Sequence, residues 1–387
     1  MQKLDNIKFI SGGLTQPQGF RANGLACGIK RSGKADLSLI VSDVPCAAAG
    51  VFTKNSVVAA PLQITKHHLS NLTAQAIIAN SGNANCFTGD CGLAYAKKTA
   101  EATATELQIK TRDVLVASTG IIGKPLPIKK ILSGIPRLVQ GLDTAATKAV
   151  MAVKGIMTTD TVVKECALQI KLDSRTITLG GCAKGSGMIE PNMATMLGFL
   201  TSDVAIKPAL LKQALRQACN QSFNRITVDG CMSTNDMVTI LANGKAGNPI
   251  ITTTDQHYEL FCMALTVLCR NLAEQIVKDG EGAKKLIRIF VSGASSEPMA
   301  DRAAKAIANS NLVKTAAYGK NANWGRIAAA VGSLGFKISE KTLKITTEKR
   351  SPKEVIIYVD LGLGDSSGEA LTCDLTWDYV TINNDYN

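Results

Sequence analysis

In the run KGSGMIEPNMATMLGFLTSD (residues 184–203), Ala194 meets Thr195 at the head of an apolar stretch, after a lead-in of Gly185, Ser186, Gly187 and Pro191. A threonine hydroxyl is a weak nucleophile until a base takes its proton. One solution makes the threonine the first residue of a chain, so that its own α-amino group is that base. Such an amine titrates near about 7.7–8.0 when unperturbed. In a single-chain precursor the amine does not yet exist, so the Ala194–Thr195 bond must break first, by an N-to-O acyl shift and hydrolysis of the resulting ester. Ala194 leaves its carbonyl open to attack, and the Gly and Pro turns are a source of strain. Ala-Thr before an apolar run is also ordinary strand sequence, so the reading depends on its context.

Other chemistries have less material. Three histidines, two of them the adjacent His67 and His68, are few for a Ser-His-Asp triad or a zinc site. Eleven cysteines are scattered with no C-x-x-C pair, which suits reduced core thiols in a cytoplasm. No metal and no tightly bound cofactor is expected. GGCAKGSG (180–187) lacks phosphate-loop spacing, and NSGNANC (80–86) has no lysine. The net charge of +12 is dispersed among carboxylates, and aromatic residues are 4% of the chain, so nucleic-acid binding is not expected.

The segment KGSGMIEPNMATML closely resembles the self-cleavage segment of the ornithine acetyltransferase family, also called glutamate N-acetyltransferase. Further stretches agree in order along nearly the whole chain: GVFTKN (50–55), NSGNANCFTG (80–89), STGIIG (118–123), GIMTTDT (155–161), DGEGAKK (279–285), NWGRIAAAVG (323–332) and CDLTWDYVTIN (373–383). The resemblance implies a ping-pong transfer of acetyl from N-acetylornithine to glutamate, with Thr195 as acyl acceptor. It implies an oxyanion hole at Thr119 and Gly120. A strand end followed by Thr-Gly is compatible, since it can aim a hydroxyl and a backbone N–H at one point. It also implies substrate contacts from Thr158, Lys184, Thr195, Glu281 and Asn383: Lys184 for the carboxylate, Glu281 for the ornithine ammonium, and Thr158 in a motif where neighbouring Thr159 is easily confused with it. Acetyl-CoA is a candidate second donor. Self-cleavage gives an α-chain of residues 1–194 and a β-chain of 195–387, assembled as a heterotetramer.

Two departures stand out. Family members usually continue past I-N-x-x-Y to a terminal Ser or Thr that touches substrate, whereas this chain stops at Asn387, so the tail contact is expected to be lost or the sequence truncated. GKNANWGRI (319–327) replaces an Asp-Pro-Asn that usually precedes Trp-Gly-Arg, which leaves turn character only in part.

The elements that must position these residues read as mixed α/β. AQAIIAN (74–80) and DVLVAST (113–119) have strand character, LAYAKKTAEATATEL (93–107) helical, and CALQIKLDSRTITLG (166–180) forms two strands joined at Asp173-Ser174. Thr195 is expected to begin a buried strand, followed by a helix opening at Pro208. Strands are expected at 236–244, 286–293, 342–347 and 354–361. YELFCMALTVLCRNLAEQIV (258–277) carries Glu259, Arg270 and Glu274 and has apolar spacings of three and four, which reads as a buried amphipathic helix and not a membrane span. The N-terminus lacks the continuous apolar region of a signal peptide.

With 45% hydrophobic residues and no low-complexity tract, the 387-residue chain has material for two lobes and a sizeable core. No linker marks a boundary, which is expected near 280–300. The resemblance sets the layer order: stacked β-sheets flanked by helices, an αββα-type sandwich, with a smaller α/β C-terminal lobe. Two other functions use the same residues. An N-terminal-nucleophile aminopeptidase or amidase would hand the acyl group to water, and a binding protein would leave Ala194–Thr195 uncut.

Overall fold

The computed structural model describes residues 6–190, 196–319 and 323–385. The chain forms two compact units. Unit 1 comprises Met1–Gly185, Asn192–Ser222 and Met232–Leu272, and unit 2 comprises Ser186–Pro191, Phe223–Cys231 and Ala273–Asn387. The boundary expected near 280–300 lies within the last segment of unit 2.

Unit 1 contains β1 (Lys8–Ile10), β2 (Phe20–Leu25), β3 (Leu37–Phe52), β4 (Thr73–Asn83), β5 (Val114–Ile121), β6 (Lys164–Leu172), β7 (Arg175–Lys184), β8 (Leu197–Ser202) and β9 (Met237–Ala242). They join in the order β1-β6-β7-β8-β9-β3-β4-β5, with β2 also on β3. The long strand β3 makes two sheets out of one ladder. Its first half pairs with β2 and β4, its register shifts between Val41 and Cys46, and its second half pairs with β9. Asp43-Val44-Pro45 sits at that shift, where a proline without a backbone donor is tolerated.

Side chains alternate across each arm, as the two-residue strand period requires. Leu39, Val41, Ala76, Ile78, Val114 and Val116 share one core with Ala100 and Ala104 of helix α2 and Ile131 and Ile135 of α3. Here α1 is Ala60–His68, α2 Gly89–Leu107, α3 Ile128–Gln140 and α4 Ala146–Ile156. The opposite faces meet in a second core: Ile40, Ile77, Leu115 and Ala117 of one arm against Cys182, Leu197, Phe199 and Leu241 of the other, with Ala152 and Val153 of α4. Helix α5 (Pro208–Asn220) packs on β3. A Cβ added at Gly181 would lie 3.2 Å from Leu272 of α6 (Gln256–Lys278), so α6 runs close over β7. The helix–sheet–sheet–helix order expected for the chain is therefore present in unit 1.

Among the described residues α6 is long and apolar enough to cross a membrane, yet 61% of its apolar window is buried inside the protein, as in a core helix. Two parallel pairs matter for the site. The crossover through α2 makes β4 and β5 parallel, and the one through α5 makes β8 and β9 parallel.

Unit 2 has a four-stranded sheet in the order β11-β12-β10-β13, from β10 (Leu286–Ala294), β11 (Lys344–Ser351), β12 (Glu354–Asp360) and β13 (Ser366–Cys373). Its helices are α7 (Glu297–Asn309), α8 (Asn311–Tyr318), α9 (Trp324–Gly332) and α10 (Trp377–Asp385). Ser296 and Ser310 cap α7 and α8 by accepting from the amides of Met299 and Val313. Ala300, Ala303, Ala304 and Ile307 of α7 pack with Ile287, Ile289 and Val291 of β10.

Candidate active site

Strand β5 ends in Ser118-Thr119-Gly120, held beside Asn80-Ser81-Gly82 of β4 in parallel register. The buried Ser118 hydroxyl donates to Asn80 Oδ1 at 2.6 Å, which locks the two strand ends together. Gly120 has φ +130°, and a Cβ there would lie 2.5 Å from the carbonyl carbon of Gly82. Position 120 therefore excludes any other residue on two counts.

Strand β7 ends at Lys184, whose side chain is 9% exposed. Its Nζ donates to Thr158 Oγ1 at 2.8 Å and, more weakly, to Thr119 Oγ1 at 3.4 Å. Three residues singled out in the sequence thus meet at one ammonium, and the threonine touching it is Thr158. The register of β8 seats Leu197 opposite Lys184, so the strand that follows Thr195 starts at the Lys184 end. Ala194 and Thr195 themselves lie outside the described residues.

Beneath this cluster lies a carboxylate that sequence reasoning missed. Asp160 has a fully buried side chain and accepts from Lys164 Nζ at 2.7 Å, the Gly185 amide at 2.7 Å and the Thr158 amide at 2.9 Å. Lys184 Nζ is 4.0 Å from it. Burial pushes its pKa up, but the charges of Lys184 and Lys164 and the hydrogen bonds outweigh burial and hold the carboxyl well below the usual range. Lys164, the first residue of β6, is itself fully buried. The signal was legible: a lysine opening a strand buried along most of its length needs a partner, and T-T-D-T-V-V-K supplies one at i−4.

A second missed residue is Lys30. Its Nζ donates to the carbonyls of Met157 at 2.7 Å and Ala35 at 2.8 Å, and a Cβ at Gly82 would meet its stem at 3.0 Å. It therefore links the turn before Thr158 to the strand that supports Gly120. Burial first, and then the Lys184 charge, lower its pKa to about 8 against the opposing pull of Asp36 and Asp160. The loop carrying it is folded around Asp36, which accepts from the amides of Cys27, Gly28 and Lys30.

In unit 2, Glu281 is buried and its amide donates to the Ser186 carbonyl at 2.9 Å. Asn383, on α10, donates from Nδ2 to Glu281 Oε2 at 2.7 Å. A Cβ at Gly187 would come within 2.3 Å of the Glu281 carboxylate, so the small residue in the lead-in segment makes room for that group. The same segment is pinned by Asp229, which accepts from the amides of Met188 at 2.6 Å and Ile189 at 2.9 Å and from the Tyr379 hydroxyl at 3.4 Å. Burial, followed by the Asp229 charge, pushes the Tyr379 phenol up. The sequence pointed to Glu281 and Asn383 as separate residues; the fold of unit 2 brings them into one hydrogen bond.

The arrangement in unit 1 offers a buried ammonium, two hydroxyls and a strand glycine at positive φ, suited to holding a carboxylate and an acyl oxygen. Comparison with known proteins identifies the family. The sequence profile of the ArgJ family matches residues 21–387. This chain belongs to the ArgJ family. Relatives named arginine biosynthesis bifunctional protein ArgJ include that of Symbiobacterium thermophilum, 44% identical over 402 residues and covering 98% of this chain and 100% of the relative. Another is that of Oceanobacillus iheyensis, 44% identical over 397 residues, with 97% and 96% covered. Among solved structures, the ornithine acetyltransferase of Mycobacterium tuberculosis complexed with ornithine is 42% identical, with 48% of this chain and 98% of that chain covered at a TM-score of 0.46.

Proposed function

We propose that this chain is an acyltransferase that moves the acetyl group of N-acetylornithine to the α-amine of glutamate, releasing ornithine and N-acetylglutamate for arginine biosynthesis. The observation that carries the reading is the meeting of Lys184 with the hydroxyls of Thr158 and Thr119 at the end of the ladder where β8 begins.

In this reading Thr195 Oγ first attacks the Ala194 carbonyl and the Thr195 nitrogen leaves. Water then hydrolyses the ester, freeing the Ala194 carboxylate and the Thr195 amine. In each turnover the hydroxyl attacks the acetyl carbonyl while the α-amine takes its proton and passes it to the departing ornithine nitrogen. The glutamate amine then attacks the acetyl ester, and the hydroxyl is restored. Lys184, donating to Thr119 Oγ1, leaves the Thr119 proton directed elsewhere, and with the Gly120 amide it faces the developing oxyanion. Lys184 and Thr158 receive the substrate carboxylate, and Glu281, steadied by Asn383, receives the ornithine ammonium.

The acetyl group travels from amino acid to threonine to amino acid, so the reaction calls for no cofactor. Acetyl-CoA is a second donor to test. The two products of cleavage, 1–194 and 195–387, are proposed to stay together, two of each, in the cytoplasm. Eleven free thiols, eight of them buried, suit a reducing compartment.

The test is the intact mass of the purified protein under denaturing conditions, N-terminal sequencing, and an acetyl-transfer assay. Two fragments, one beginning at Thr195, with ping-pong kinetics are expected, and Thr195→Ala should remain uncut and inactive. A Thr195→Ala protein transferring acetyl at the wild-type rate would overturn the mechanism.

A further inference from the structure

The structure assigns Asp160 a part in substrate recognition: buried against Lys164, it is a positioning residue that aligns the Lys184 ammonium and the Thr158 hydroxyl on the substrate carboxylate. This rests on the reading of Lys184 as the carboxylate's partner.

The two carboxylate oxygens of Asp160 have separate backbone partners. One holds the Thr158 amide, and the other holds the Gly185 amide, the residue directly after Lys184. A single carboxylate therefore clamps both backbone segments that carry the recognition groups, segments 26 residues apart at Lys184 and Thr158. Its close cation is Lys164, at 2.7 Å, while Lys184 stands at 4.0 Å. Lys164 is thus the near, hydrogen-bonded partner of Asp160 while the charge of Lys184 also bears on it, and one carboxylate with two ammoniums sums to a net +1.

That division of labour has a physical purpose. A buried carboxylate with one lysine would make its tightest pair with that lysine and compete with the substrate for it. With Lys164 as the near partner, Asp160 orients Lys184 from a distance while the positive potential needed for an anionic substrate survives. Both the donor and the acceptor of the reaction present an α-carboxylate, so a fault here affects both alike.

The experiment compares wild-type protein with Asp160→Asn, Lys164→Met, the double variant D160N/K164M and Lys184→Met, measuring fragment masses, melting temperature and the KM for N-acetylornithine and for glutamate. Asp160→Asn is expected to raise both KM values in parallel by roughly 10- to 100-fold, the scale of one lost charge-assisted hydrogen bond, while kcat falls less than about threefold. The double variant removes both charges of the buried pair, so it should recover much of the melting temperature lost by either single variant yet keep the raised KM values. A double variant that recovers melting temperature and wild-type KM together would reduce the pair to a structural role and overturn the inference. So would an Asp160→Asn protein that is folded and has unchanged KM values. Lys184→Met separates the two levels: if it too keeps wild-type KM, the underlying reading of the site fails, whereas a large rise with Asp160→Asn unaffected sinks only the positioning role.

Discussion

The two units hold their charged groups in different ways. In unit 1 charge is answered by charge: Asp160 lies fully buried between Lys164 and Lys184, with backbone amides completing its shell. In unit 2 the buried Glu281 is held by a neutral amide from Asn383 and by the space over Gly187. A buried ion pair is costly to break from one side, because the remaining charge has no compensation, whereas a neutral donor can be removed at the cost of one hydrogen bond. Unit 1 should therefore respond to substitution through stability and binding together, and unit 2 mainly through the substrate.

The largest effect expected from this contrast is on folding. Asp160→Asn should destabilise the protein by about 3–5 kcal/mol, the range for breaking a buried pair, read as a shift in the urea midpoint at pH 7. The pH dependence sharpens it. The native carboxyl of Asp160 is depressed below an unfolded value of about 3.9. Its stabilisation is complete above about pH 4 and is lost as pH falls toward the native value, so Asp160→Asn should flatten the acid limb of stability below pH 4.

Glu281→Gln comes next and should act on chemistry, not on stability. Replacing a charged acceptor by a neutral one costs roughly 1.5–3 kcal/mol, so kcat/KM for N-acetylornithine should fall by roughly 10- to 100-fold. Glutamate has no side-chain ammonium, and its KM as acceptor should move much less. Equal losses for both substrates would break the assignment of Glu281 to the ammonium. Asn383→Ala removes only the neutral donor and should cost about 0.5–1.5 kcal/mol, a loss of roughly 2- to 12-fold in kcat/KM for the donor substrate.

The smallest effect is on a pH profile. Lys30, with its pKa lowered to about 8, loses its charge above that pH, beside Lys184, Asp160, Asp36 and Lys34. Both KM values should rise gently between pH 8 and 10 as positive potential is lost, and Lys30→Gln should remove that rise. In stability the sign is opposite: the penalty of holding Lys30 charged is present below pH 8 and is relieved as pH climbs toward the unfolded value near about 10.4.

Much of this molecule was legible along the chain. The helix at 93–107 is the greater part of α2, the hairpin at Asp173-Ser174 joins β6 to β7, and the helix opening at Pro208 is α5. These elements announce themselves through local periodicity and through turn residues. Strand β3 did not, because Asp43-Val44-Pro45 reads as a break, and only pairing with β2, β4 and β9 on either side of it makes Leu37–Phe52 one strand. Helix α10 was missed for a similar reason: W-D-Y-V-T-I-N has weak helical patterning.

The amino-acid sequence by itself determined the family, the reaction class and the residue types available for it, because motifs such as S-T-G and G-E-G are contiguous and can be read locally. Tertiary structure alone decided that Lys184 meets Thr158 and Thr119, and that the threonine of its pair is Thr158. Those contacts join residues 65 and 26 positions apart. The energy of a buried charge depends on what the fold packs around it, and no local pattern encodes that environment.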